Sequence, residues 1–142
     1  MALCQHEIQI RVRYCETDAM GFLHHANYFN YFEIGRTELF RAQGGNYREM
    51  EEQGLYLVVV QLTCRYHKPA RYDDLLTLRT TLSRVSAAKL EHDYQLLRDG
   101  ELLATAQSVL ACVDRDGNVQ RMPDVLPPEI WSRRTGARKE GS

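Results

Sequence analysis

The sequence has 142 residues, which is enough for one domain with its own hydrophobic core. Hydrophobic residues make up 44% of the chain and charged residues 26%, the usual balance of a globular protein. The 18 lysines and arginines are balanced by 19 aspartates and glutamates, so the net charge of -1 excludes a global basic field that would hold nucleic acid.

Cysteine usage and the chain start bear on the compartment. None of the four cysteines belongs to a CxxC pair; they are Cys4, Cys15, Cys64 and Cys112. A domain of this size needs no disulfide framework, and free thiols are typical of a reducing compartment. We find no signal-peptide pattern, no apolar run long enough for a membrane span and no metal-ligand spacing around His24 and His25. The sequence therefore predicts a cytoplasmic protein without a metal or cofactor.

A strand followed by a long helix is predicted in the first third of the chain. Residues 7–14 alternate between apolar and polar side chains, as in a half-buried strand that runs to Tyr14. A loop follows, and from about residue 27 the apolar residues recur at helical spacing. This stripe consists of Tyr28, Phe32, Gly35 and Leu39. Because glycine within a helix costs roughly 1 kcal/mol relative to alanine, Gly35 predicts the close approach of another element.

The remainder of the chain reads as consecutive strands. Gly44-Gly45 ends the helix, and a short helical turn ends at Gly54. Strands are predicted over residues 57–66, 75–82, 90–97 and 102–113, with a short strand near 119–121 and a brief helix over 128–133. Hairpin connections make such a sheet antiparallel. We predict one α+β domain over residues 1–134, with a curved antiparallel sheet of five to six strands around one central helix, and a flexible polar tail over 135–142.

The loop before the helix places a carboxylate, Asp18, near a helix start. A helix start presents free backbone N–H groups and the positive end of a dipole, which suits a reaction that builds negative charge on oxygen. A carboxylate beside that spot can attack a carbonyl or activate a water. The plainer interpretation of Asp18 is a turn residue, as are most aspartates in such loops.

The same region carries a resemblance to a known family. The residues are Tyr14, Asp18, Gly21, His25, Asn27, Tyr28, Glu33 and Arg36, followed by RYHKPARYDDLL over residues 65–76. The pattern resembles the hot-dog-fold acyl-CoA thioesterases of the 4-hydroxybenzoyl-CoA thioesterase superfamily, and it is most similar to their YbgC-like branch. The resemblance implies a sheet wrapped around a helix, paired edge to edge into a homodimer or homotetramer. It also implies hydrolysis of an acyl-CoA thioester to a free acid and CoA.

The resemblance assigns a role to individual residues. Asp18 matches the catalytic carboxylate, acting as nucleophile or as general base. His25 matches the position whose backbone N–H polarises the thioester carbonyl. Tyr14, the third expected catalytic residue, matches a residue that lines the pocket near the carboxylate. The expected substrate-binding residues are Gly21, Tyr28, Glu33, Lys68, Arg84 and Lys89, of which the last three are candidates for CoA phosphates.

Two alternative functions stay open. The turn over residues 84–89 carries fewer cations than in the 4-hydroxybenzoyl enzymes, which leaves room for an acyl carrier protein as the thiol partner. A non-catalytic module that only binds acyl-CoA is the other alternative, and the presence of both Asp18 and His25 argues against it. The absence of a GxSxG pattern disfavours a serine triad.

Overall fold

The computed structural model describes residues 4–122, which form five strands and two α-helices. The elements in chain order are β1 (Cys4–Arg11), a turn of 3-10 helix (Tyr14–Glu16), α1 (His25–Ala42), α2 (Tyr47–Glu52), β2 (Tyr56–Tyr66), β3 (Leu75–Val85), β4 (Lys89–Arg98) and β5 (Glu101–Val113). The predicted α+β composition and the order of elements are confirmed.

The strands form one antiparallel sheet in the order β1-β3-β4-β5-β2, so β1 and β2 are its two edges. Arg11 at the end of β1 pairs with Leu75 at the start of β3. The chain that leaves β1 stays at this end, because the Val12 N–H donates to the Asp74 carbonyl (2.9 Å) and the Tyr72 N–H donates to the Gly21 carbonyl (3.1 Å). The loop with Asp18 therefore lies at the end of the sheet where β3 begins.

The helix α1 packs on β1 and β3 through its apolar stripe. Tyr28, Tyr31 and Phe32 are buried there, and the Phe32 ring lies 4.8 Å from the Tyr94 ring on β4. The aromatic cluster is thus core, as its helical spacing indicates. None of the helices within residues 4–122 combines the length and the apolar character needed to cross a bilayer.

Gly35 marks the closest approach of α1 to the sheet. A Cβ atom at this position would lie 2.5 Å from Thr80 Oγ1 and 2.7 Å from a methyl group of Leu78. No side chain fits in such a gap. The prediction that glycine here permits a close approach is confirmed, and the approach is made by β3.

Some predicted boundaries are wrong. Tyr14 is not part of β1, because the Arg13 N–H donates to the Glu16 carboxylate (2.8 Å) and turns the chain into the 3-10 helix. The helix begins at His25, two residues before the apolar stripe suggests, because His24 caps it. Near residues 119–121 the structure has only an isolated bridge between Val119 and Val113. The predicted helix over 128–133 and the tail over 135–142 lie outside the described residues.

Candidate active site

The loop that carries Asp18 is closed by the Asp18 side chain itself. Its Oδ1 atom accepts hydrogen bonds from the backbone N–H groups of Met20 (2.8 Å) and Phe22 (3.1 Å). The Asp18 N–H donates to the Phe22 carbonyl (2.8 Å), and Gly21 provides the positive φ of 79° that the turn needs. Asp18 is exposed, and its Oδ2 atom makes no hydrogen bond within residues 4–122. The Oδ1 atom thus holds the loop, and the Oδ2 atom is not used to hold it.

The N-terminus of α1 presents a backbone donor at His25. His24 is the N-cap, and its Nδ1 atom accepts the Ala26 N–H (3.2 Å) while its carbonyl accepts the Asn27 N–H (2.9 Å). His24 therefore accepts the N–H groups of the two residues that follow His25. The His25 N–H, the first of the helix, has no acceptor within the helix. The dipole of an 18-residue helix adds positive potential at the same point. An unpaired N–H and a positive potential at one point can stabilise negative charge on an oxygen atom.

Glu16 joins the loop to the helix. Its carbonyl accepts the His24 N–H (2.9 Å) and the Asn27 side-chain amide (2.9 Å). Its carboxylate accepts the Tyr31 hydroxyl (2.7 Å) and the Arg13 N–H (2.8 Å), and its side chain is only 12% exposed. Sequence reasoning assigned no role to Glu16. The available signal was its position two residues before Asp18 and three after Arg13, the spacing of a capping box.

The ionisation of Glu16 and Tyr31 follows from these contacts. Burial would by itself raise the pKa of Glu16, but the hydrogen bonds from Arg13 and Tyr31 outweigh it and hold the pKa below its ordinary value. Burial and the neighbouring carboxylate raise the pKa of the Tyr31 hydroxyl. Glu16 is therefore an anion and Tyr31 a neutral donor at neutral pH, and their hydrogen bond is charge-assisted.

Tyr28 and Tyr66 border the helix start. The buried Tyr28 hydroxyl accepts the Ala70 N–H (3.3 Å), and the Tyr66 hydroxyl donates to the His25 carbonyl (3.2 Å). The two rings meet edge to face at 4.8 Å. Burial raises the pKa of Tyr28, with a smaller contribution from the negative charge of Asp18. Tyr66 was also missed by sequence reasoning, because its contact spans 41 residues of sequence.

Tyr14, the third predicted catalytic residue, and the remaining predicted substrate-binding residues lie at different distances from this site. Tyr14 is 77% exposed, and its ring meets the edge of Tyr72 at 5.6 Å. Glu33 lies two turns along α1 from His25, where it lines a cavity of about 150 Å³ beside Arg36. Lys68 lies just beyond Tyr66, at the same end of the sheet as Asp18, and pairs with Glu101 at 2.5 Å.

Arg84 and Lys89 lie at the opposite end of the sheet. Arg84 is nine residues beyond the start of β3, which is about 30 Å at the rise of a strand. It pairs loosely with Glu91 at 3.8 Å. Within one copy of the chain, these two cations are not brought to Asp18. The described residues 4–122 contain no group of three or more histidines, cysteines, aspartates or glutamates that could hold a metal ion.

Comparison with known proteins agrees with this architecture. The model of the thioesterase-like superfamily matches residues 12–130. The chain belongs to this superfamily. It is 39% identical over 122 residues to the acyl-CoA thioesterase YbgC of Haemophilus influenzae, covering 85% of this chain and 88% of that protein. It is 30% identical to the acyl-CoA thioester hydrolase YbgC of Escherichia coli O157:H7, covering 85% and 89%.

A solved structure extends the comparison to the whole fold. The crystal structure of the DHNA-CoA thioesterase of Staphylococcus aureus matches with a TM-score of 0.85 at 29% identity, covering 97% of this chain and 95% of that one. The hot-dog fold and the resemblance to the YbgC-like branch are therefore confirmed. The protein is a thioester hydrolase.

Proposed function

We propose that this protein is an acyl-CoA thioesterase that uses Asp18 and the His25 N–H to hydrolyse acyl-CoA to a free acid and CoA. The observation that carries the proposal is the attachment of the Asp18 loop, through the Glu16 carbonyl, to the residues that flank His25. Names of the relatives support the substrate class, since both YbgC proteins are acyl-CoA hydrolases.

The reaction follows from the charges at this site. The thioester carbonyl oxygen accepts the His25 N–H, where the helix dipole stabilises the negative charge that develops on it. Asp18 Oδ2 either attacks the carbonyl carbon, giving an anhydride that water then hydrolyses, or takes a proton from the water that attacks. In both cases the C–S bond breaks and the CoA thiolate leaves. A thiolate needs little help from a general acid, so no further acid is required.

The other motif residues shape the site around these two groups. Gly21 allows the turn that points Asp18 outward, and Tyr28 fixes the helix start against residue 70. Tyr14, exposed beside Tyr72, lines the mouth of the pocket in this proposal. Glu33 lines the cavity beside α1, which receives the acyl group in this proposal.

We propose that two copies of the chain join along β2. This edge strand exposes a run of apolar side chains, Val58, Val59 and Val60, whereas the outward residues of the β1 edge are polar. An exposed apolar edge strand favours pairing with another strand. An antiparallel pairing of β2 with its copy brings the turn between β3 and β4 of the second copy to the end where Asp18 lies. Arg84 and Lys89 would then meet the CoA phosphates across the dimer, with Lys68 on the near side.

Acyl carrier protein remains the second candidate thiol partner, because the turn over residues 84–89 has no cation besides Arg84 and Lys89. The thiol-release rate with one acyl group on CoA and on carrier protein compares the two directly. Four free cysteines support a reducing, cytoplasmic location in either case.

The main test is thiol release from short, long and aromatic acyl-CoAs by the wild type and by Asp18→Asn. We expect the variant to lose at least about a hundredfold in kcat, the range of a general base or nucleophile. Asp114→Asn is the matched control, because Asp114 Oδ1 also caps a turn by accepting the N–H groups two and four residues on, both at 2.9 Å. If Asp18→Asn retains near-normal hydrolysis across the panel, the proposed mechanism is wrong.

A further inference from the structure

Glu16 contacts both parts of the site and neither reacting atom. Its carbonyl accepts hydrogen bonds from the His24 N–H and from the Asn27 side-chain amide, at 2.9 Å each, and these two residues lie on either side of His25. Its carboxylate bonds Tyr31, one turn further along α1, at 2.7 Å. Asp18 follows it by two residues, and between them Thr17 forms a bridge with Leu23. The relative position of Asp18 and the His25 N–H is therefore determined largely at Glu16.

A comparison with the other ion pairs shows that Glu16 is unusual. Most paired carboxylates of the described residues are well exposed, as for Glu7, which accepts the Arg79 guanidinium at 2.6 Å and is 47% exposed. Glu16 is 12% exposed, and both of its carboxylate oxygens are bonded, Oε2 by the Arg13 guanidinium at 3.1 Å. Exposed pairs contribute little to stability, whereas a buried and fully bonded carboxylate fixes the geometry of its neighbours.

We infer that Glu16 is a positioning residue, which holds the carboxylate of Asp18 at reacting distance from the carbonyl that the His25 N–H polarises. The inference deepens the proposed function and rests on it. Its physical basis is that a reacting group misplaced by about 1 Å can lose about a hundredfold in rate, although substrate binding is little affected. Loss of the carboxylate bonds to Arg13 and Tyr31 would let the turn that leads to Asp18 move relative to α1 by a distance of this order, although the carbonyl bonds of Glu16 remain.

The arrangement makes a prediction that differs from that of a structural residue. A substitution that only destabilises the fold lowers the amount of active enzyme, and its effect multiplies with that of any other substitution. A residue that acts through Asp18 has little left to disturb once Asp18 is removed. Replacement of Glu16 should therefore lower kcat in the wild type and change kcat little in the Asp18→Asn background.

The experiment measures kcat and KM for thiol release with one acyl-CoA in four proteins: wild type, Glu16→Gln, Asp18→Asn and the double variant. We expect Glu16→Gln to lower kcat by about tenfold to a hundredfold, with KM changed by less than about twofold. In the Asp18→Asn background, we expect the same change to lower kcat by less than about twofold. Glu7→Gln is the control for loss of an ion pair, and its kcat should equal that of the wild type.

A second variant covers a failure of Glu16→Gln to fold. Tyr31→Phe removes a single donor from Glu16 Oε1 and keeps the buried ring, so it should lower kcat in the same direction with a native circular dichroism spectrum. Unchanged kcat in both variants, or a loss that multiplies fully with that of Asp18→Asn, would overturn the inference. Absence of thiol release by the wild type would instead refute the proposed function, so the two failures are distinguishable.

Discussion

The close approach at Gly35 gives a quantitative prediction for the fold that supports the site. In Gly35→Ala, the new methyl group meets Thr80 Oγ1 at 2.5 Å and Leu78 at 2.7 Å, distances that real Cβ contacts essentially never show. Overpacking of this kind costs about 1–3 kcal/mol of stability. The short Thr80 side chain can move away from the methyl group less easily than the end of a long, flexible side chain could. Alanine recovers about 1 kcal/mol through its higher helix propensity.

The balance is a net loss of about 1–2 kcal/mol in the free energy of unfolding, if the strain lies in the upper part of that range. An unfolding entropy of about 2.1 cal/mol/K per residue gives about 0.3 kcal/mol/K for 142 residues. We therefore expect Tm to fall by about 3 to 7 °C in calorimetry at matched protein concentration.

A second substitution tests the cause. Thr80→Ala removes the atom at 2.5 Å, and with it a buried hydroxyl that has no hydrogen-bond partner within residues 4–122. Gly35→Ala should therefore lose less stability in the Thr80→Ala background than in the wild type. A Tm at or above that of the wild type for Gly35→Ala, or an equal loss in both backgrounds, would refute the steric argument.

Three further predictions concern the assembly, the nucleotide and the pH. Val59→Lys on the β2 edge should convert a dimer to monomers in light scattering and reduce thiol release, whereas Gln9→Lys on the β1 edge should do neither. Arg84→Ala should raise KM for acyl-CoA by about tenfold and leave KM for an acyl-pantetheine thioester unchanged; equal changes for both substrates would contradict a phosphate contact. Burial, with help from the Arg36 charge, lowers the pKa of His92 to about 3, so the unfolded chain alone gains this proton between pH 6.5 and 3. As the pH is lowered from 6.5 to 3, the free energy of unfolding, measured in urea, should fall by at most about 1.4 kcal/mol per pH unit. His92→Leu should reduce this dependence of the free energy on pH; an unaltered dependence would show that His92 is not responsible.

The sequence pattern was sufficient for the strands and their order along the chain, because apolar alternation reports directly on a half-buried sheet. It failed where a local contact interrupts the pattern. The alternation of β3 stops at Leu82, but a bulge between Leu82 and Arg84 restores the register, and the strand continues to Val85. At the other end of the chain, the cap formed by Glu16 turns Tyr14 away from β1, although its apolar character continues the alternation.

For the site, the sequence singled out the residues that we propose react, but not the residues that hold them in place. Asp18 and the helix start were found because a carboxylate, a glycine and a helix start have a recognisable order. The contacts of Glu16 were missed, because they join a side chain and a carbonyl to partners eight to fifteen residues away, and no periodicity records such contacts. In the proposed dimer, Arg84 reaches the site only from the second copy of the chain, and residue order within one copy does not reveal a distance between copies.

The start of α1, where the His25 N–H lies, and the middle of α1 are held by chemically different contacts. At its N-terminus the helix is held by the hydrogen bonds of Glu16. Ten residues beyond His25, about 15 Å along the axis, Gly35 lets the helix rest directly on β3. The second contact sets the distance between the helix and β3. The Glu16 hydrogen bonds join the first turn of α1 directly to the segment that carries Asp18, whereas Tyr28 and Tyr66 join it to residue 70 and to β2. Loss of packing at Gly35 should therefore appear mainly in stability, and loss of Glu16 mainly in turnover.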